Sequence, residues 1–131
     1  LGIGCKRGTS AEKLEAVFAA FCAEHCLALQ GIMQAASIDL KQDEPGMAAF
    51  GHAHGWPMDF YTADELRTAP GNFTASNFVQ SVTGVDNVCE RAAVLASGGE
   101  LLLPKWAHDG VTFAVACAPF APDWRWKNDE P

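Results

Sequence analysis

The chain has 131 residues, 49% hydrophobic and 19% charged, which suits one compact domain with a real core and leaves little room for a second. Its net charge of −7 and isoelectric point near 4.9 argue against a general nucleic-acid or anionic-membrane surface, because like charges repel at long range. No apolar run approaches the roughly 20 residues that cross a bilayer. The amino end also lacks the basic-then-apolar form of a signal peptide, so the expectation is a cytoplasmic protein. The first residue is Leu1 rather than methionine, which is compatible with sequence ahead of it.

In chain order, "GIGC" reads as a short strand. Thr9 with Glu12 three residues on forms a capping box that opens a helix, whose apolar positions Leu14, Val17, Phe18, Phe21 and Cys22 recur at helical spacing. "LQGIMQAASIDL" supplies a second strand over Met33 to Ile38. In "KQDEPGMAAFGHAHG", Asp43 can cap a helix, Pro45 fits its first turn and Gly55 stops it. "PMDFYT" is a third strand, and Thr62 with Glu65 opens a short helix that Pro70 and Gly71 end. A polar loop, "GNFTAS", and a short helical pattern, "NFVQSV", come next. "VDNVCERAAVLASGG" then predicts a stronger helix, capped by Asp86 or Asn87, with a stripe through Val88, Ala92 and Leu95 and a stop at Gly98 and Gly99. "ELLLPKW" and "VTFAVACA" flank "AHDG", where Asp109–Gly110 signals a hairpin. Residues 119–131 read as an irregular tail, and no internal repeat is visible. Alternating β and α elements that close on a hairpin predict an α/β domain spanning 1–131, with a mixed, mainly parallel sheet.

In such sheets ligands bind beyond the carboxyl ends of the parallel strands. That edge carries Lys6 and Arg7 after the first strand, Asp39 and Lys41 after the second, and Tyr61 and Thr62 after the third. Lys105 joins them if its strand runs the same way, which would gather four of nine basic residues on one rim. Amides at a helix start attract anions, and Lys6 and Arg7 add full charges to the turn through Gly8, Thr9 and Ser10. The other reading of these residues is a set of solvated loop charges. The glycines at 2, 4 and 8 meet neither the dinucleotide spacing nor the P-loop pattern.

Five scattered cysteines, odd in number, suit reduced and buried thiols. Cys22 and Cys26 lie one helical turn apart around His25, but no second close ligand pair accompanies them, so core packing is preferred over zinc. His52 and His54 sit roughly 200° apart on their helix, as surface or cap residues rather than ligands, and His108 reads as solvated. Neither a metal nor a cofactor is expected. Asn72 fits a glycosylation pattern that matters only in a secreted protein, and no catalytic triad can be assembled from spacing.

"GIGCKRGTSAE", "SIDLKQDEPG" and "GVDNVCERAAVLASGGELLLPK" followed by "GVTFAVA" resemble the CobE/CbiG carboxy-terminal domain family of cobalamin biosynthesis, over about residues 2–118. The resemblance implies a three-layer α/β/α fold and a cytoplasmic protein acting while the corrin ring is built from precorrins. Longer CbiG-type members carry sequence upstream and are associated with opening a ring lactone of a cobalt-precorrin and releasing acetaldehyde. This chain resembles the short CobE form, to which that hydrolase activity is not carried over. Catalytic residues are therefore not assigned. A precorrin bears many acetate and propionate arms, which gives the rim a chemical reason: Lys6, Arg7, Lys41 and Lys105 would meet carboxylates, and Gly8, Thr9 and Ser10 would donate hydrogen bonds. Asp39, Asp43 and Glu44 could orient Lys41 or act as acid or base, with helix capping preferred for Asp43 and Glu44. The expected partners are a precorrin-type tetrapyrrole, other cobalamin-pathway enzymes and a second copy in a homodimer. A lactone hydrolase and an unrelated phosphate- or nucleotide-binding module are the rival readings.

Overall fold

The computed structural model describes residues 1–27, 31–71 and 87–117. The "NFVQSV" pattern, Asn72, Asp86, most of the "GNFTAS" loop and the tail from 119 lie outside the described residues. Five strands, β1 (Gly2–Cys5), β2 (Ala35–Ile38), β3 (Met58–Tyr61), β4 (Glu100–His108) and β5 (Val111–Cys117), form one sheet in the order β3-β2-β1-β5-β4. β1, β2 and β3 are mutually parallel, while β5 is antiparallel to both β1 and β4. β4 therefore runs with the first three strands, and the carboxyl ends of β1 to β4 share an edge.

Helices cover both faces. α1 (Ala11–His25) and α2 (Pro45–His54) pack on one, where Phe18, Phe21, Phe50, Trp56 and Phe113 form an aromatic core. α3 (Ala63–Arg67) and α4 (Val88–Ser97) cover the other around Ile38, Leu66, Val88 and Ala92. The expected three-layer mixed α/β fold with its antiparallel hairpin is what forms. Asp109 and Gly110 both adopt positive φ (54° and 82°), the twist a two-residue hairpin needs.

Local differences have physical causes. Thr9 does not cap α1, because its hydroxyl turns back to donate to the Lys6 carbonyl at 2.7 Å, and Ser10 instead accepts the Lys13 amide at 3.1 Å. β2 starts at Ala35 rather than Met33, which is 82% exposed. The N-cap of α2 is Glu44, not Asp43, since Pro45 fixes the first helical residue. By contrast, both halves of the Thr62–Glu65 capping box are made. α4 is capped by Asn87 in the left-handed region (φ 53°) and stops at Gly98.

The thiols are less buried than expected. Cys89 is buried, Cys5 and Cys22 are partly covered, and Cys26 and Cys117 are exposed; all five are unpaired. Cys26 follows the last turn of α1 as its left-handed C-cap, which turns it out of the core. His54 is a correction in the other direction. It lies stacked on Trp56 (centroids 4.3 Å apart) with Nε2 2.8 Å from Glu15, tying α2 to α1.

Candidate functional site

The edge at the carboxyl ends of β1, β2 and β3 is built around the turn from β1 to α1. Two bonds to the Lys6 carbonyl, from the Thr9 amide at 3.3 Å and its hydroxyl at 2.7 Å, close the turn and leave Lys6 and Arg7 exposed. α2 starts directly against it: a Cβ on Gly46 would stand 2.1 Å from the Thr9 carbonyl, so only glycine permits that approach. The close fit brings in Glu44, which is 6% exposed. Its carboxylate accepts the Gly8 amide at 2.7 Å and lies 3.6 Å from the Arg7 guanidinium. An internal acid thus occupies the amide position that the sequence offers to a ligand anion.

Asp39 and Lys41 belong to a 3-10 turn (Asp39–Lys41) directly after β2, and both are partly buried. Lys41 reaches the electrostatic surroundings of Cys5 at the end of β1. Burial raises the pKa of that thiol, opposed by the Lys41 charge and a hydrogen bond with Thr9, while Glu44 raises it further. The hairpin tip adjoins the same turn, with the Lys6 stem beside Gly110 and Lys13 3.4 Å from Asp109. At the end of β3, burial raises the pKa of Tyr61, with Asp59 and Glu65 adding to the shift.

The structure therefore gathers Lys6, Arg7, Gly8, Thr9, Ser10, Asp39 and Lys41 at one edge and sets Lys105 apart. β4 does run the same way, but Lys105 lies three residues short of its end, in an irregular stretch between Leu103 and Trp106. Its amide donates to Glu90 Oε2 at 2.6 Å, while Glu90 Oε1 accepts Asn87 Nδ2 at 2.6 Å. Asn87 and Glu90 are both 1% exposed at the start of α4. Reading the sequence as a string of elements misses Glu44 and Glu90 as anchors, since an acid in the first turn of a helix is an ordinary dipole partner. Proline directly after Glu44 is the one local signal of a fixed helix start.

Chemically, this edge offers three cations, exposed or partly buried, and the starts of two helices to an anion. The Asn87–Glu90–Lys105 cluster is instead a hydrogen-bonded brace between α4 and β4. Among the described residues, no group of three or more His, Cys, Asp or Glu side chains is placed to hold a metal ion, and no helix is long and apolar enough to cross a membrane.

Comparison with known proteins adds a lineage to this geometry. Residues 1–116 match the family described as "Cobalamin synthesis G C-terminus". The chain is 35% identical over 121 residues to the cobalt-precorrin-5A hydrolase of Priestia megaterium, covering 92% of this chain and 32% of that protein. It is 32% identical over 117 residues to the protein of the same name from Salmonella typhimurium, covering 89% and 33%. It thus spans about a third of the length of those two relatives. Protein CobE of a Sinorhizobium species is 32% identical over 104 residues, 79% of this chain and 68% of that one. Among solved structures, CobE, a protein from the cobalamin (vitamin B12) biosynthetic pathway, superposes with a TM-score of 0.78 at 33% identity, covering 86% of this chain and 84% of CobE. Protein chiG of Agrobacterium tumefaciens shares the fold, with a TM-score of 0.68 at 24% identity, covering 89% and 95%.

Proposed function

Because this chain belongs to the cobalamin synthesis G C-terminal family, we propose that its carboxyl edge binds a precorrin-type tetrapyrrole, as carrier of the intermediate or as accessory to a neighbouring pathway enzyme. One observation carries the reading: a chain of net charge −7 keeps Lys6, Arg7 and Lys41 together beside the starts of α1 and α2. Carboxylate arms would meet these cations in charge-assisted hydrogen bonds, with Ser10 and Thr9 at the helix start and Asp39 orienting Lys41. Lys105 would act as a secondary, more distant cation. The protein would work in the cytoplasm, where free thiols persist, alone or as a homodimer.

Absorbance titration with a precorrin, or with uroporphyrin as a stable polycarboxylate stand-in, tests this. A spectral shift that weakens in Lys6→Ala and Lys41→Ala is the expected result, and the absence of any shift in the wild-type protein would end the reading. A second reading is lactone hydrolysis, favoured by the 35% identity to a cobalt-precorrin-5A hydrolase across 92% of this chain. Acetaldehyde detected by mass spectrometry after incubation with a cobalt-precorrin would establish it. Family membership speaks against the unrelated phosphate- or nucleotide-binding module.

A further inference from the structure

We propose that Glu44 is a built-in stand-in for a ligand carboxylate, holding Arg7 and the β1–α1 turn until an acidic arm of the ligand takes over its cation. The proposal rests on the polycarboxylate reading above and assigns a role within that site.

The first observation is where the side chain goes. Glu44 is the N-cap of α2, yet its carboxylate makes no capping bond to its own helix. It reaches across to a turn 36 residues earlier, takes the Gly8 amide at 2.7 Å and lies 3.6 Å from Arg7. The second is the asymmetry of that pair: the Glu44 side chain is 8% exposed and the Arg7 side chain 82%. The anion is fixed and the cation is free to swing away.

An ion pair with one exposed partner at this separation is weakly held. A planar guanidinium gains more from an incoming carboxylate that it can grip with two parallel N–H bonds. When Arg7 leaves, Glu44 keeps the Gly8 amide, so the turn survives the exchange. Glu44 therefore lowers the affinity of every acidic ligand that uses Arg7 by one common factor. The factor is the same for all of them, so Glu44 does not rank these ligands; it raises the contact through Lys6 and Lys41 that any of them needs in order to bind.

The test titrates the wild-type chain, Glu44→Gln, Arg7→Ala and the double variant. Uroporphyrin is followed by absorbance, and tricarballylate by the Gly8 amide shift in nitrogen-labelled protein. Glu44→Gln, whose amide oxygen still accepts the Gly8 N–H, is expected to bind both ligands about three- to tenfold tighter, a gain that vanishes without Arg7. Uroporphyrin binding with no gain in Glu44→Gln, or with a gain that persists without Arg7, overturns the role of Glu44 and leaves the ring reading standing. A gain seen with tricarballylate while uroporphyrin binds no variant keeps the role and ends the ring reading. Binding of neither ligand ends both. Should Glu44→Gln not fold, Arg7→Ala must weaken binding less than Lys6→Ala, since Arg7 only trades one carboxylate for another; an equal or larger loss overturns the proposal.

Discussion

Cys89 and Glu90, adjacent in the first turn of α4 and each 1% exposed, show two ways of burying an ionisable group. Cys89 remains a thiol: desolvation pushes its pKa from 9.0 up to about 12, with a hydrogen bond from Thr112 and the charge of Lys105 only partly opposing it. The unfolded thiol ionises near pH 9 and the folded one does not, so the unfolded state binds fewer protons and stability falls as pH rises from 9 toward 12. The slope from this group is about 1.4 kcal/mol per pH unit. Urea midpoints of wild type and Cys89→Ala from pH 9 upward check it, the variant losing that part of the slope. With a thiol reagent at neutral pH, the exposed Cys26 and Cys117 should react in the folded protein and Cys89 only on unfolding. Glu90 works differently, one oxygen accepting a hydrogen bond from Asn87, the N-cap of its own helix, and the other from the Lys105 amide of β4. Glu90→Ala leaves the Asn87 amide and the Lys105 N–H without that acceptor and is expected to cost about 2–5 kcal/mol by denaturant unfolding. A loss below about 1 kcal/mol would show that water or another group replaces it. Neither Glu90 nor Glu44 is distinguishable in sequence from an ordinary helix-start acid, because the partners that define them lie 15 and 36 residues away.

Elements were legible where their signals were local. The Thr62–Glu65 box, the glycine stop at 55 and the Asp109–Gly110 hairpin all concern atoms within a few residues of one another, and all three form. The same box pattern at Thr9–Glu12 fails because a nearby carbonyl, that of Lys6, competes for the hydroxyl. Ser10→Ala should accordingly cost about 1 kcal/mol, and Thr9→Ala should loosen the turn without removing the cap. Amide exchange in the first turn of α1 separates the two, rising only for Ser10→Ala. A stricter test concerns how α4 meets β1: a Cβ on Gly2 would stand 1.7 Å from the Cys89 carbonyl oxygen. Gly2→Ala is expected to destabilise by at least about 2–3 kcal/mol, because the obstacle is helix backbone that no rotamer change can move. Thermal unfolding measures it, and an unchanged midpoint would mean that α4 does not pack as closely as described.

At the scale of the whole molecule, the sheet order turns a dispersed set of charges into a local field. The crossovers put the starts of α1 and α2 at the carboxyl edge, where on the proposed reading Lys6, Arg7 and Lys41 would act together despite the net charge of −7. Binding of a polyanion should therefore weaken as salt is raised, since at 0.1 M ionic strength exposed charges more than about 10 Å apart are largely screened and the range shortens further as salt is added. Lys6→Ala and Lys41→Ala should each reduce uroporphyrin affinity by about three- to tenfold and flatten the salt dependence, with Lys105→Ala giving the smallest change. An equal effect from all three lysines would mean that the ligand extends back along β4 rather than sitting at this edge alone.

Periodicity, caps and turn chemistry sufficed to determine the alternation of strands and helices, the mixed sheet and the edge on which cations would emerge, because each depends on neighbours along the chain. The order β3-β2-β1-β5-β4, the retreat of Lys105 behind the rim and the burial of Glu44 against Gly8 were decided only by tertiary packing. Desolvation and hydrogen bonding between distant segments set those features, and no local pattern encodes which amide a buried carboxylate will find.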